Sequence, residues 1–144
     1  MKGNTGRTRR LERLMRVRNV ARLAALEKVS SAELAFARLS GVARRSSALA
    51  ADYAGRPDVP DAAGLQNLRA YHGGIAQLSA DAARSSAAAR QSADAEQVRL
   101  AHAERSRDLV EQRLTADRQA AARARTSAQI AAQTHLARSL NNKR

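Results

Sequence analysis

The sequence contains no cysteine and no tryptophan, one phenylalanine (Phe36), two tyrosines (Tyr53 and Tyr71) and two prolines (Pro57 and Pro60). The lack of cysteine excludes disulfides and thiolate metal sites and is compatible with a reducing compartment. Three aromatic rings in 144 residues leave little to fill a wide core. Proline confined to one short stretch leaves the rest of the chain free of the residue that most strongly breaks helices. No apolar run approaches the roughly 18–20 residues needed to cross a bilayer. The basic stretch 1–7 is followed by no uninterrupted apolar segment, so no secretory signal is expected and a soluble, intracellular protein is.

What is present is alanine, at 34 of 144 positions, together with Arg, Leu, Gln and Glu. These are the strongest helix formers, and β-branched strand formers are few. Small side chains line a thin seam between two close helices better than they fill a globule. The length is that of one domain, and the expected fold is all-α.

Both prolines fall in Gly55-Arg56-Pro57-Asp58-Val59-Pro60-Asp61. Gly55 suits the left-handed position just past a helix end, with Pro57 close behind. Asp58 or Asp61 can cap the next helix, with Pro60 in or near its first turn. The expectation is one coiled-coil domain over 1–144: helix 1 over about 8–54, a loop over 55–60 and helix 2 over about 61–140. In helix 1, Ala25, Val29, Ala32, Phe36, Leu39, Ala43, Ser46, Ala50 and Tyr53 alternate steps of four and three, and Leu11, Leu14 and Ala21 extend the stripe less cleanly. In helix 2 the same spacing picks out Leu65, Leu68, Ile75, Ala82, Ala89, Ala93, Leu100, Ala103, Val110, Leu114, Ala121, Ala124, Ala128 and Ala131. It is interrupted by His72, Ser79, Ser86, Glu96, Arg107 and Asp117. A mean step of 3.5 residues predicts a left-handed coiled coil, and the short loop makes the helices antiparallel neighbours. At 1.5 Å per residue, helix 1 reaches along helix 2 to about residue 105, leaving an overhang over 111–144. Gly73-Gly74 inside helix 2 is explained by close helix approach or a local bend.

No catalytic constellation is found. His72, His102 and His135 lie far apart, and none has a partner at the i+3 or i+4 spacing of a metal pair. Glu104, Asp108 and Glu111 share a helix face, but a coiled coil offers no pocket to set two carboxylates apart in pKa. Arg105 and Arg107 beside them point to a solvated ion-pair face. Neither GxxxxGK[ST] nor GxGxxG occurs. The expectation is a non-enzyme with no cofactor, metal or small-molecule ligand.

Formal charge is +13. It points to an acidic partner, namely nucleic acid, anionic lipid or an acidic protein surface, unless it is simply a solvated face. Lys2, Arg7, Arg9, Arg10, Arg13, Arg16, Arg18 and Arg22 stand against one acid, Glu12, in the first 22 residues. Arg118, Arg123, Arg125, Arg138, Lys143 and Arg144 make the end of helix 2 basic. In a hairpin both groups meet at the open end. Near the loop lie Leu49, Tyr53, Leu68, Tyr71, Ile75 and Leu78, read either as interface anchors or as the last packing layers.

Size, hairpin pattern, the opening Arg10-Leu11-Glu12-Arg13-Leu14-Met15-Arg16-Val17-Arg18 and the steps Leu49 to Tyr53 and Tyr71 to Ile75 together resemble the FliJ family of flagellar export proteins. These are the stalk and general chaperone-like component of the type III export apparatus. Aromatic content is lower than in many members, and Ser46 and Ala82 replace positions around the loop. The resemblance implies a protein similar to the central coiled-coil stalk of rotary ATPases, peripheral at the cytoplasmic face of the inner membrane. Its open end would enter the export ATPase hexamer through Leu11, Arg13, Leu14, Arg16 and Arg18. Leu49, Tyr53, Tyr71 and Ile75 would contact the export gate membrane protein and export chaperones. The alternative is a basic coiled-coil nucleic-acid-binding protein or a structural or membrane-surface adaptor. The scarcity of aromatic rings for base stacking counts against nucleic acid.

Overall fold

A computed structural model describes residues 2–55 and 61–141, with side chains over 6–55 and 61–139. The chain is all-α, a two-helix antiparallel coiled-coil hairpin whose second helix is the longer. Helix α1 runs Lys2–Ala54 (53 residues) and α2 runs Ala62–Asn141 (80 residues). Among the described residues there is no strand. The expected loop residues Arg56, Pro57, Asp58, Val59 and Pro60 lie outside the described residues.

The helix ends refine the expected caps. Gly55 is not in the left-handed backbone region. Its amide donates to the Ala51 carbonyl at 3.1 Å, continuing the helical bonding pattern by one residue. At the other end the Asp61 carbonyl accepts from Leu65 N–H at 3.0 Å, which puts Asp61 in the N-cap position. Helix α1 starts earlier than residue 8 because Gly3 and Gly6 weaken a helix without ending it.

The fold gathers into two compact units, Met1–Leu23 with His102–Arg144, and Ala24–Ala101. In the second unit, every α1 stripe residue from Ala25 to Tyr53 is withdrawn from solvent, and Val29 and Ser46 are buried. From α2 the withdrawn positions are Gly64, Leu68, His72, Ile75, Ser79, Ala82, Ser86, Ala89, Ala93, Glu96, Leu100 and Ala101, with Ile75, Ala82 and Ala93 buried, while the expected stripe residue Leu65 is 40% exposed. The interrupting residues are therefore seam residues. Ser46 satisfies its hydroxyl on its own helix, donating to the Ala43 carbonyl at 3.1 Å. Glu96 pairs with Arg99 on the next turn, but its Oε2 is buried without a hydrogen-bond partner. Across the seam, the Gln97 amide donates to Glu33 Oε1 at 2.8 Å and the Arg90 guanidinium lies 5.6 Å from the Phe36 ring centroid.

In the first unit the seam differs from the expected apolar stripe. Thr8, Leu11, Glu12, Met15, Asn19 and Arg22 face it from α1, while Leu14 and Ala21 are exposed. From α2 come Ala103, Arg107, Val110, Leu114, Asp117 and Ala121. The expected continuation through Ala124, Ala128 and Ala131 is exposed, as is all of 122–139. Facing contacts reach Asp117, bonded to Thr8, so the overhang begins past Ala121 rather than near residue 105. The earlier start of α1 provides the extra turns.

Gly73 and Gly74 sit in unbroken helix, and a Cβ at either would meet nothing within 4 Å. Close approach is thus not their reason. Gly73→Ala and Gly74→Ala are each expected to raise stability by about 1 kcal/mol, through helix propensity alone. Urea unfolding followed by circular dichroism checks this; a loss of stability would mean the glycines are required. By the same assay Ile75→Ala, which empties a position only 6% exposed, is expected to cost about 2 kcal/mol or more. Leu78→Ala, at a position 55% exposed, should stay within about 0.5 kcal/mol.

Candidate interaction surfaces

Charge divides unequally between the units. Counted over the sequence, residues 1–23 and 102–144 hold 17 Lys and Arg against 5 Asp and Glu, a net of +12. Residues 24–101 hold 9 against 8, a net of +1. Almost the whole excess belongs to one two-helix unit, termed here the basic unit.

The five carboxylates of the basic unit are all engaged. Asp117, only 8% exposed, accepts from the Thr8 hydroxyl at 2.6 Å and pairs with Arg7 Nε at 3.4 Å. Glu12 pairs across the seam with Arg118 at 2.9 Å, and Glu104 with Arg22 at 3.7 Å. Arg107 pairs with Asp108 and Glu111, both at 2.9 Å, and also donates to Asn19 Oδ1 at 3.3 Å. The acidic face formed by Glu104, Asp108 and Glu111 is thus an ion-pair face, as its arginine neighbours suggest. Among the described residues, Arg9, Arg10, Arg13, Arg16, Arg18, Arg105, Arg113, Arg123, Arg125 and Arg138 enter no ion pair. They are exposed and hold the uncompensated charge.

Between the two helical stretches of this unit runs an open groove of about 410 Å³, lined by Glu12, Met15, Arg16, Glu111, Leu114, Thr115 and Arg118. Met15 and Leu114 supply apolar surface, and the four charged residues surround it. No cluster of three or more metal-ligating side chains exists among the described residues. His72 is half-buried in the seam of the second unit, while His102 and His135 are exposed.

The structure brings some sequence candidates together and sets others aside. Arg13, Arg16 and Arg18 are exposed on α1, and Leu14 is 39% exposed. Leu11 is half-buried in the seam and offers a partner little. In the second unit Leu49 is 42% exposed and Tyr71 55% exposed. Tyr53 is half-buried and meets Tyr71 edge-to-face, ring centroids 5.0 Å apart at 61°. This pair is both a packing layer and an accessible aromatic surface, a combination suited to an interface anchor. Ile75 belongs to the seam and presents almost no surface, a correction to its assignment as a contact residue: steps of three and four from Leu68 and His72 carry it inward. Sequence reasoning missed Met15 and Leu114 as groove residues and missed the exposed Val17 and Val20. The signal for both was the seam phase, which Glu12, Asn19 and Arg22 conceal.

Asp117→Ala removes the acceptor shared by Thr8 and Arg7 and is expected to lower the stability of the basic unit by about 1–2 kcal/mol. Asp81→Ala breaks only the exposed pair with Arg84 and should stay within about 0.5 kcal/mol. Thermal melts of the two variants side by side check this, and equal melts would remove Asp117 from the account.

No protein-family model, curated protein or solved structure matches the chain.

Proposed function

We propose that the chain is a non-catalytic coiled-coil stalk of a bacterial flagellar type III export apparatus, whose basic unit engages the export ATPase hexamer. The observation that carries the reading is the gathering of a net +12 on one slender two-helix unit beside a near-neutral one. A basic coiled coil with free arginines and no reaction centre suits insertion into an acidic protein ring that supplies the chemistry. Arg13, Arg16 and Arg18 meet acidic residues of the ring, and the groove beside Met15 and Leu114 takes an apolar anchor. The resemblance in the opening stretch of α1 supports the choice of an export ATPase as that ring.

In the same reading the Tyr53–Tyr71 pair and Leu49 serve the export gate and the export chaperones, and Ile75 supports them from behind. No helix among the described residues is long and apolar enough to cross a membrane. The stalk then sits at the cytoplasmic face of the inner membrane through its partners.

The test adds the purified chain to its cognate export ATPase and follows hydrolysis and hexamer assembly. Both are expected to rise. Arg13→Glu, Arg16→Glu and Arg18→Glu combined should weaken the effect roughly tenfold or more, because like charges facing across an interface cost several kcal/mol. Arg69→Glu, in the second unit, should leave it intact. A chain that changes neither hydrolysis nor assembly would refute the reading.

A further inference from the structure

The outward face of α1 in the basic unit carries four exposed branched apolar side chains spaced three residues apart, while Leu109, Ile130 and Leu136 are exposed singly on α2. Val17 is 62% exposed, Val20 67%, Leu23 59% and Leu14 39%. Branched apolar side chains this open are unfavourable in water and, when clustered, mark an interaction surface. Leu14, Val17 and Val20 each lie one turn after an exposed arginine: Arg10, Arg13 and Arg16 stand at the i−4 positions. Arg18 follows Leu14 by one turn on the other flank. None of these arginines enters an ion pair, and Glu12, the one acid of the first 22 residues, is committed across the seam to Arg118. The seam residues Leu11, Met15, Asn19 and Arg22 lie on the opposite side, so the outward face is free of any packing duty.

An apolar ridge with guanidinium groups on both flanks matches an anionic lipid surface. Aliphatic side chains enter the acyl boundary while arginines reach sideways to phosphate groups. Nucleic acid fits less well, because phosphates gain nothing from exposed Val and Leu and the face carries no aromatic ring for a base. We infer that this face of α1, through Leu14, Val17 and Val20 flanked by Arg10, Arg13, Arg16 and Arg18, docks the chain on membranes rich in anionic lipid. The inference shares Leu14, Arg13, Arg16 and Arg18 with the export reading but does not rest on it: Val17 and Val20 play no part in that reading, and lipid vesicles contain no ATPase, so the two fail separately.

Flotation of the full chain with vesicles of phosphatidylglycerol and phosphatidylcholine, against vesicles of phosphatidylcholine alone, tests it. Binding is expected to the anionic vesicles only. Arg13→Gln should weaken it about fivefold, the effect of one surface charge near such a membrane. Val17→Asp with Val20→Asp should abolish it, while Arg69→Gln leaves it unchanged. Circular dichroism is expected to show unaltered helicity for every variant, because none of these positions lies in the seam. Absence of binding to the anionic vesicles would overturn the proposal, as would equal binding to both vesicle types. So would a Val17→Asp, Val20→Asp variant that binds like the parent, since charge alone would then explain the attraction. Binding of duplex DNA to the chain, weakened equally by Val17→Ser with Val20→Ser, which remove the apolar surface without adding charge, would also overturn it, by showing the ridge to be a nucleic-acid surface.

Discussion

Each helix of this chain can hide its inward residues only against the other helix, and that mutual cover is the constraint on which everything else depends. Among the described residues there is no third layer. No large side chain among them is fully buried, and the best-covered apolar ones are Ala93, Ile75, Val110, Val29 and Leu114. Alanine at Ala82 and Ala93 lets the backbones approach, but it contributes little apolar area per residue. Stability in such a seam is spread over many small layers. Helices in a folded protein draw most of their stability from such packing rather than from propensity.

A thin seam also has little to specify its own register, because one layer of alanines resembles the next. Polar residues take over that task in the basic unit. Asp117 meets Thr8 and Arg7, Arg107 meets Asn19, and Arg118 meets Glu12, each from opposite helices. Exposed pairs of this kind add little energy, but a buried carboxylate shifted by one turn would lose its partners, and that loss is costly. These contacts, together with the pairs of Arg22 with Glu104 and of Arg107 with Asp108 and Glu111, use up the few acids of the unit. Its remaining arginines are thereby left uncompensated and pointing to solvent, so the device that sets the register also leaves the surface positively charged.

The stripe from Ala25 to Tyr53 was readable because its seam positions are nearly all apolar or small, so the period of 3.5 residues stands out. It was not readable upstream. There Thr8, Glu12, Asn19 and Arg22 occupy inward positions and Leu14, Val17, Val20 and Leu23 outward ones, inverting the usual rule. A hydrophobicity pattern therefore put Leu14 on the wrong face. The same inversion hid the groove at Met15 and Leu114 and exposed the ridge that a pattern search would have assigned to packing. On α2 the regular spacing of Ala124, Ala128 and Ala131 continued the stripe in sequence after the covering helix had ended. Spacing records which face a residue shares, but not whether anything lies opposite.

The amino-acid sequence by itself determined the class of structure. Its alanine and arginine content and its single proline-bearing break specify two helices, because those residues favour helix locally and only that break interrupts it. Its composition also determined the size and sign of the charge. Tertiary structure decided which arginines have partners, how far α1 covers α2, and that Val17 and Val20 face solvent. It also decided that nearly all the excess charge belongs to one unit. These depend on the register between two segments distant in sequence, and that register rests on cross-helix contacts such as Thr8 with Asp117, which no local preference encodes.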